Sequence, residues 1–400
     1  GRVQPPDGNH LEESGGDGGM KWEKVKLGDI CKYVTSGGTP KSSIKEYYEP
    51  KQIPWLKTKE VNYCRIYETE SYISKDGLDN SSAKMIPQNS VIVAMYGQGD
   101  TAGRVAINKI PLTTNQACCN LIIDETKACY EFVYYQLVTL YEKMVSLKNG
   151  GAQPNLNAAI IKSMEIKLPP LKTQRYIADI LSSYDDLIEN NQKQIKLLEE
   201  AAQRLYKEWF VDLRFPGHEN TKIVDGVPEG WRKFPLEEIA PVVTGKKDAN
   251  YGDKGGNYPF FTCSQETITA PGYSFDTSAV ILAGNGDFNV KLYRGKFEAY
   301  QRTYVLAPFD HSNLFNLYFT VQNNMEALAK GASGSTIKFL TKGMLQKILV
   351  LTADKKILDK FNDYEENIQQ KVEALKKQVE DLTEIRNRLL PKLMSGEVEV

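Results

Sequence analysis

Cysteine and histidine are scarce in this chain, and neither is spaced for chemistry. The six cysteines among 400 residues are Cys31, Cys64, Cys118, Cys119, Cys129 and Cys263, and no two form a CxxC pair. That argues against a zinc site or a disulfide framework. With no signal peptide in view, it points to free thiols in a reducing cytoplasm. Histidine occurs only at 10, 218 and 311, too few to favour a His-based metal site or a Ser-His-Asp triad. No apolar run approaches the ~20 residues of a membrane span. The Asn/Asp-Pro-Pro-aromatic tetrapeptide used by adenine methyltransferases is missing, and so is the GxxxxGK[ST] phosphate loop of ATP-binding proteins. A nuclease site would need acidic clusters such as Asp-x-n-Glu-x-Lys, and Glu266 and Asp287, the nearest candidates, do not form such a motif in the sequence. Net charge is −1, no advertisement for nucleic acid by itself.

What is present suits a globular protein of two or three domains, with 41% hydrophobic and 25% charged residues. Residues 1–19 are polar and Gly-rich, and read as a tag outside the fold. A mild positive balance lies in 20–171, with 19 basic against 15 acidic residues. Residues 212–352 carry 15 against 14.

The chain repeats itself. Trp22-Glu23-Lys24-Val25-Lys26-Leu27 returns as Trp231-Arg232-Lys233-Phe234-Pro235-Leu236. Val91-Ile92-Val93-Ala94 returns as Val280-Ile281-Leu282-Ala283, and Gly150 returns as Gly331. Leu181-x-x-Tyr184 returns as Phe361-x-x-Tyr364. The offset shrinks from 209 to 180 along the repeat, so the second domain has shorter loops. The expected divisions are a first domain at 20–171, a long helix at 172–211, a linker and second domain at 212–352, and a second long helix at 353–400.

Both helices announce themselves by period. After a strand ending at Leu168 and the stop Pro169-Pro170, apolar residues step by four and three. They are Ile177, Leu181, Tyr184, Ile188, Ile195, Leu198, Ala202, Leu205 and Trp209, with the polar Asn191 in step between Ile188 and Ile195. No Gly or Pro interrupts them, which predicts a helix of roughly 57 Å at 1.5 Å per residue. The second series is Phe361, Tyr364, Ile368, Val372, Leu375, Val379, Leu382, Ile385 and Leu389. A 3.5-residue spacing over four heptads is a coiled-coil seam, although one side of a large helical core would read similarly. Two matching seams in one chain suit an antiparallel pair, and Asn191 suits a residue that fixes register.

The arrangement resembles the DNA-specificity subunits of type I restriction–modification enzymes over essentially all of 20–400. The residues that carry the resemblance are Gly150-x-x-Gln153-x-x-Leu156 and Pro170-Leu171-x-x-Gln174-x-x-Ile177-Ala178-x-x-Leu181-x-x-x-Asp185-x-x-Ile188. Trp209-Phe210-Val211-Asp212 and Leu389-Leu390-Pro391-Lys392-Leu393 add to it. The second half departs from the pattern: Gly331-Ala332-Ser333-Gly334-Ser335-Thr336 has no Gln. The resemblance implies an α+β fold with two similar β-rich target-recognition domains and two long helices in an antiparallel coiled coil. It implies no catalysis in this chain. Its partners would be double-stranded DNA, two methyltransferase subunits and restriction/translocation subunits. S-adenosylmethionine, ATP and magnesium would belong to those partners.

Candidate DNA contacts follow from turn chemistry and donor type. Lys and Ser/Thr suit phosphate oxygens, whereas Gln, Asn and Arg can pair with base edges. In the first domain these are Ser36, Lys41, Lys57, Lys59, Gln98, Thr101, Arg104, Asn115 and Gln116. In the second they are Lys246, Lys247, Asn285, Asn289, Gln301 and Arg302. Each has a plainer reading: tight turns for the glycine loops, surface for the lysines, a buried loop-holding pair for Asn115 and Gln116. A coiled-coil scaffold without a DNA role is the alternative function. It explains the seam but not two Gly-loop domains, and a steep salt dependence of DNA binding would decide.

Overall fold

The structure is a computed structural model and describes residues 22–148, 155–332, 334 and 338–398. The expected tag therefore lies outside the described residues, as do Gly150, Gln153, Ser333, Ser335 and Thr336. The chain divides into two compact units, one of Arg2–Asn190 with Gln378–Val400, the other containing Asn191–Lys377.

In the first unit Glu23–Lys26 pairs antiparallel with Glu165–Leu168, Val25 opposite Ile166. Pro169-Pro170 then removes two amide donors and the strand stops. The main sheet has five strands in the order Cys31–Ser36, Cys118–Ile123, Val91–Ala94, Val105–Asn108, Cys64–Ile66. All pairs are antiparallel except the last. Val91–Ala94 is apolar on both faces because both are covered. Val91 and Val93 join a core with Phe132, Leu137 and Leu181, while Ile92 and Ala94 join a second with Leu56 and Leu112. Helix α1, Tyr130–Thr139, supplies Phe132 and Leu137.

The second unit repeats this plan. Arg232–Pro235 pairs with Leu349–Thr352. The sheet order is Val242–Thr244, Thr303–Leu306, Phe275–Ala283, Val290–Ala299, Tyr258–Phe261, Ile268–Ala270. The first five positions match the first sheet strand for strand, including the one parallel pair, and Ile268–Ala270 is an addition. Val280-Ile281-Leu282-Ala283 falls in the strand equivalent to Val91–Ala94, where the repeat had placed it.

Helix α2 runs Leu171–Tyr206, then passes into a π turn at Lys207–Val211. Helix α3 is Leu314–Gly331, the counterpart of α1, and helix α4 is Lys355–Ser395. α2 and α4 contribute segments to both units, and in each unit the segments run antiparallel. In the first unit Ile177, Ala178 and Leu181 share a core with Leu390, Leu393 and Met394, and Asp185 meets Arg386. In the second unit Glu199 pairs with Lys376 at 3.0 Å, while Trp209 and Phe210 pack on Phe361 at 5.8 and 4.9 Å between ring centroids.

Candidate nucleic-acid interface

Strand register gathers the loops at one end of each sheet. In the first domain Ser36 lies opposite Cys119, Ala94 opposite Cys118, and Val93 opposite Val105. Loops 37–43, 95–104 and 115–117 therefore leave the same end. Leu56 pairs with Thr114 and accepts the Asn115 amide at 2.9 Å, which brings Lys57 to that end too. In the second domain Thr244 lies opposite Tyr304, Ala283 opposite Thr303, and Leu282 opposite Val290. Loops 245–250, 284–289 and 300–302 leave the equivalent end.

Glycine makes the crossing possible in each domain. A Cβ on Gly37 would stand 2.2 Å from the Thr114 and Asn115 carbonyl oxygens, and one on Gly245 only 1.9 Å from the Ala299 carbonyl oxygen. The loop backbone passes directly against its neighbour, where no side chain fits.

The candidates divide by what their side chains already hold. Lys41, Gln98, Lys246, Gln301 and Arg302 are exposed. Lys57 lies over Trp55 at 5.1 Å and Lys247 over Tyr251 at 4.3 Å, each a cation held by an aromatic face beside the loops. Ser36 and Asn285 are half-buried, Asn285 beside Phe339 in an isolated bridge. The Gln116 side-chain oxygen accepts the Thr39 hydroxyl, and Thr101 donates to the Gln98 carbonyl at 2.7 Å.

Four more candidates hold partners inside their own domain. The Arg104 guanidinium donates to Asn62 at 2.9 Å and Asp100 at 2.6 Å, which braces its loop. The Asn115 Oδ1 accepts from the Cys118 thiol at 3.3 Å. The Asn289 amide donates to the Cys263 and Asp287 carbonyls at 3.2 and 2.9 Å. Lys59 is ion-paired with Glu70. These contacts hold groups within the domain.

Two lysines at these ends escaped the sequence reading. Lys84 reaches the Thr35 hydroxyl at 3.5 Å from a segment whose Ser82 and Ala83 pass against Gly38. Lys291 donates to the Ser264 carbonyl at 2.6 Å, and burial pulls its pKa down. No local pattern marks either residue, because both come to the loops through long-range contacts.

On the helices, Ile177, Leu181, Ile188, Asn191, Trp209, Phe361, Val372 and Leu375 are buried. Tyr184, Ile195, Leu198, Leu205, Ile368, Val379, Leu382 and Leu389 are half-buried. Tyr364 is 49% exposed and stands edge-on to Trp209 at the margin. The period missed several polar residues of the joints. Gln174, 1% exposed, accepts the Cys129 amide at the start of α1 (2.9 Å) and donates to the Pro169 carbonyl (2.8 Å), tying α1 to α2. Asp185 and Glu365 are likewise buried.

Comparison with known proteins agrees with this architecture. A model of the type I restriction modification DNA specificity domain matches residues 20–200 and 228–381. The chain is 29% identical over 415 residues to the specificity subunit of the type I restriction enzyme MjaIX from Methanocaldococcus jannaschii, covering 95% of this chain and 94% of that one. It is 37% identical over 176 residues to the EcoDI specificity subunit from Escherichia coli, 43% of this chain and 39% of that one. Its fold is similar to the crystal structure of a type I restriction-modification S subunit from M. genitalium, with TM-score 0.63 at 18% identity, covering 96% and 98% of the two chains. With that domain model matched in both of its repeats, the chain belongs to the type I restriction–modification DNA-specificity family.

Proposed function

We propose that each domain reads one short DNA half-site through the loops at its sheet end, and that the helix pair sets the separation of the two. The target is then bipartite and asymmetric with an unread gap. One observation carries this reading: two sheets of the same strand order present loops at the same end, furnished with different side chains. Lys41, Gln98 and Gln116 stand on one, Lys246, Gln301 and Arg302 on the other. The antiparallel α2 and α4 segments in each unit support the spacer.

The chain acts without chemistry of its own. Methyltransferase subunits dock on the outer helix faces, where Tyr176, Leu187 and Leu197 are 54%, 50% and 54% exposed. Two repeats suit two such subunits. S-adenosylmethionine belongs to them, and ATP and magnesium to the restriction/translocation subunits. The assembly is cytoplasmic; among the described residues no helix is long and apolar enough to cross a membrane.

Co-expression with a methyltransferase subunit and sequencing of methylated adenines tests the reading. The expected result is one motif of two specified blocks around a fixed gap. Exchange of the second domain should change one block only. A single continuous motif, or two blocks that change together, would refute it.

A further inference from the structure

Each domain meets its helix segments round one acid. In the first unit Asp185 on α2 is 8% exposed. Its Oδ2 accepts the Tyr135 hydroxyl of α1 at 2.5 Å, and its Oδ1 accepts from Arg386 Nη1 of α4 at 2.5 Å. Beside it Arg65, from the sheet, donates to Asp186 and to the Ser182 carbonyl (3.2 Å), and the Tyr67 hydroxyl donates to Glu189 (3.0 Å). Domain, α2 and α4 are thus joined by charged hydrogen bonds, which are stronger and more directional than apolar contact.

The 180-residue offset that carries Leu181 to Phe361 carries Asp185 to Glu365 and Arg386 back to Tyr206. The Tyr134–Tyr135 ring pair of α1, 5.0 Å between centroids, is matched by Tyr318–Phe319 of α3 at 4.9 Å. Phe319 therefore stands for Tyr135 and Tyr206 for Arg386, and both partners of the acid are lost. Tyr206 stacks on Phe319 at 5.4 Å and shares a hydrogen bond with Thr320 at 3.0 Å. Glu365 is wholly buried, and neither carboxylate oxygen has a hydrogen-bond partner among the described residues. The second joint keeps an outer ion pair, Arg294 of the sheet with Glu366 at 2.8 Å, where the first has Arg65 with Asp186, but its buried acid is unanswered amid aromatic packing.

We propose that Asp185 is a positioning residue that latches the first domain to the helix pair, that the joint at Glu365 lacks this buried tie, and that discrimination between gap lengths is enforced mainly at the first joint. This rests on the bipartite reading above.

The test uses the complex with its methyltransferase subunits and duplexes carrying the preferred gap or one base pair more or fewer. Asp185→Asn should raise methylation of the off-length duplexes relative to the preferred one by about tenfold, the scale of one charged hydrogen bond. Binding of an isolated first half-site should stay unchanged, which a general loss of structure would not allow. Arg386→Gln and Tyr135→Phe remove one arm each and serve should Asp185→Asn not fold. Glu365→Gln should leave the length profile as it is. An unaltered profile in the three first-joint variants, or equal broadening by Glu365→Gln, would overturn the inference. A wild-type complex indifferent to gap length would instead overturn the bipartite reading, and this inference with it.

Discussion

The second joint should weaken as pH rises, and the size of the effect can be worked out. Burial without a hydrogen bond lifts the Glu365 pKa from an ordinary 4.5 to about 8. Facing it from α3 is Tyr318, itself pushed up to about 12 by burial, then by Glu199 and Glu365. From α2 comes Glu199, which is paired with Lys376, and on α4 the neighbouring Glu366 is bound to Arg294. The folded chain keeps the Glu365 proton up to about pH 8, whereas the unfolded chain releases it near 4.5. Stability is therefore greatest below the lower value, falls across the interval and levels off above the upper one. The whole interval corresponds to about 5 kcal/mol, of which about 3 kcal/mol falls between pH 5.5 and 8.5. Water entering beside the ionised acid would return part of that. Hydrogen exchange of α3 peptides, corrected for intrinsic rates, reads the change directly. Protection should drop by roughly one to two orders of magnitude between those pH values in the wild type and stay level in Glu365→Gln. Equal slopes in the two proteins would refute the reasoning.

Three other perturbations have expected outcomes. Phe361→Ala should cost about 3–5 kcal/mol in unfolding of the second unit, since it empties a fully buried site among Trp209, Phe210 and Phe319. Gly245→Ala should destabilise the second domain by at least about 2 kcal/mol, because the new methyl meets the Ala299 carbonyl; denaturant midpoints would show it. Lys41→Ala should lower the salt slope of binding to random duplex by about one, whereas Lys59→Ala, already paired with Glu70, should leave it unchanged; fluorescence anisotropy separates the two.

Much of the architecture was legible because it is periodic or repeated. The 3.5-residue spacing gave both helices, and Pro169-Pro170 gave the start of the first. The recurrence of Val91–Ala94 at Val280–Ala283 gave equivalent strands in sheets of one order. The role of the acids at the joints was not legible, although Asp185 stands in the motif that carries the resemblance. Asp185 and Glu365 sit on helices full of surface acids, and only the tertiary contacts show that one is latched and the other alone. Arg104 and Asn289 have the right chemistry for bases, and only the structure shows that Arg104 also holds Asp100 and Asn62 and that Asn289 holds the Asp287 and Cys263 carbonyls. Lys84 and Lys291 reach the loop end from elsewhere in the fold, which no local pattern can report.

The spacer is tested most directly by lengthening it. One heptad inserted into both α2 and α4 keeps the seam in phase and adds about 10 Å, or about three base pairs. Methylated sites sequenced from cells carrying the lengthened protein and its methyltransferase should keep both specified blocks and show a gap longer by about that number. Unchanged blocks with an unchanged gap would contradict the account.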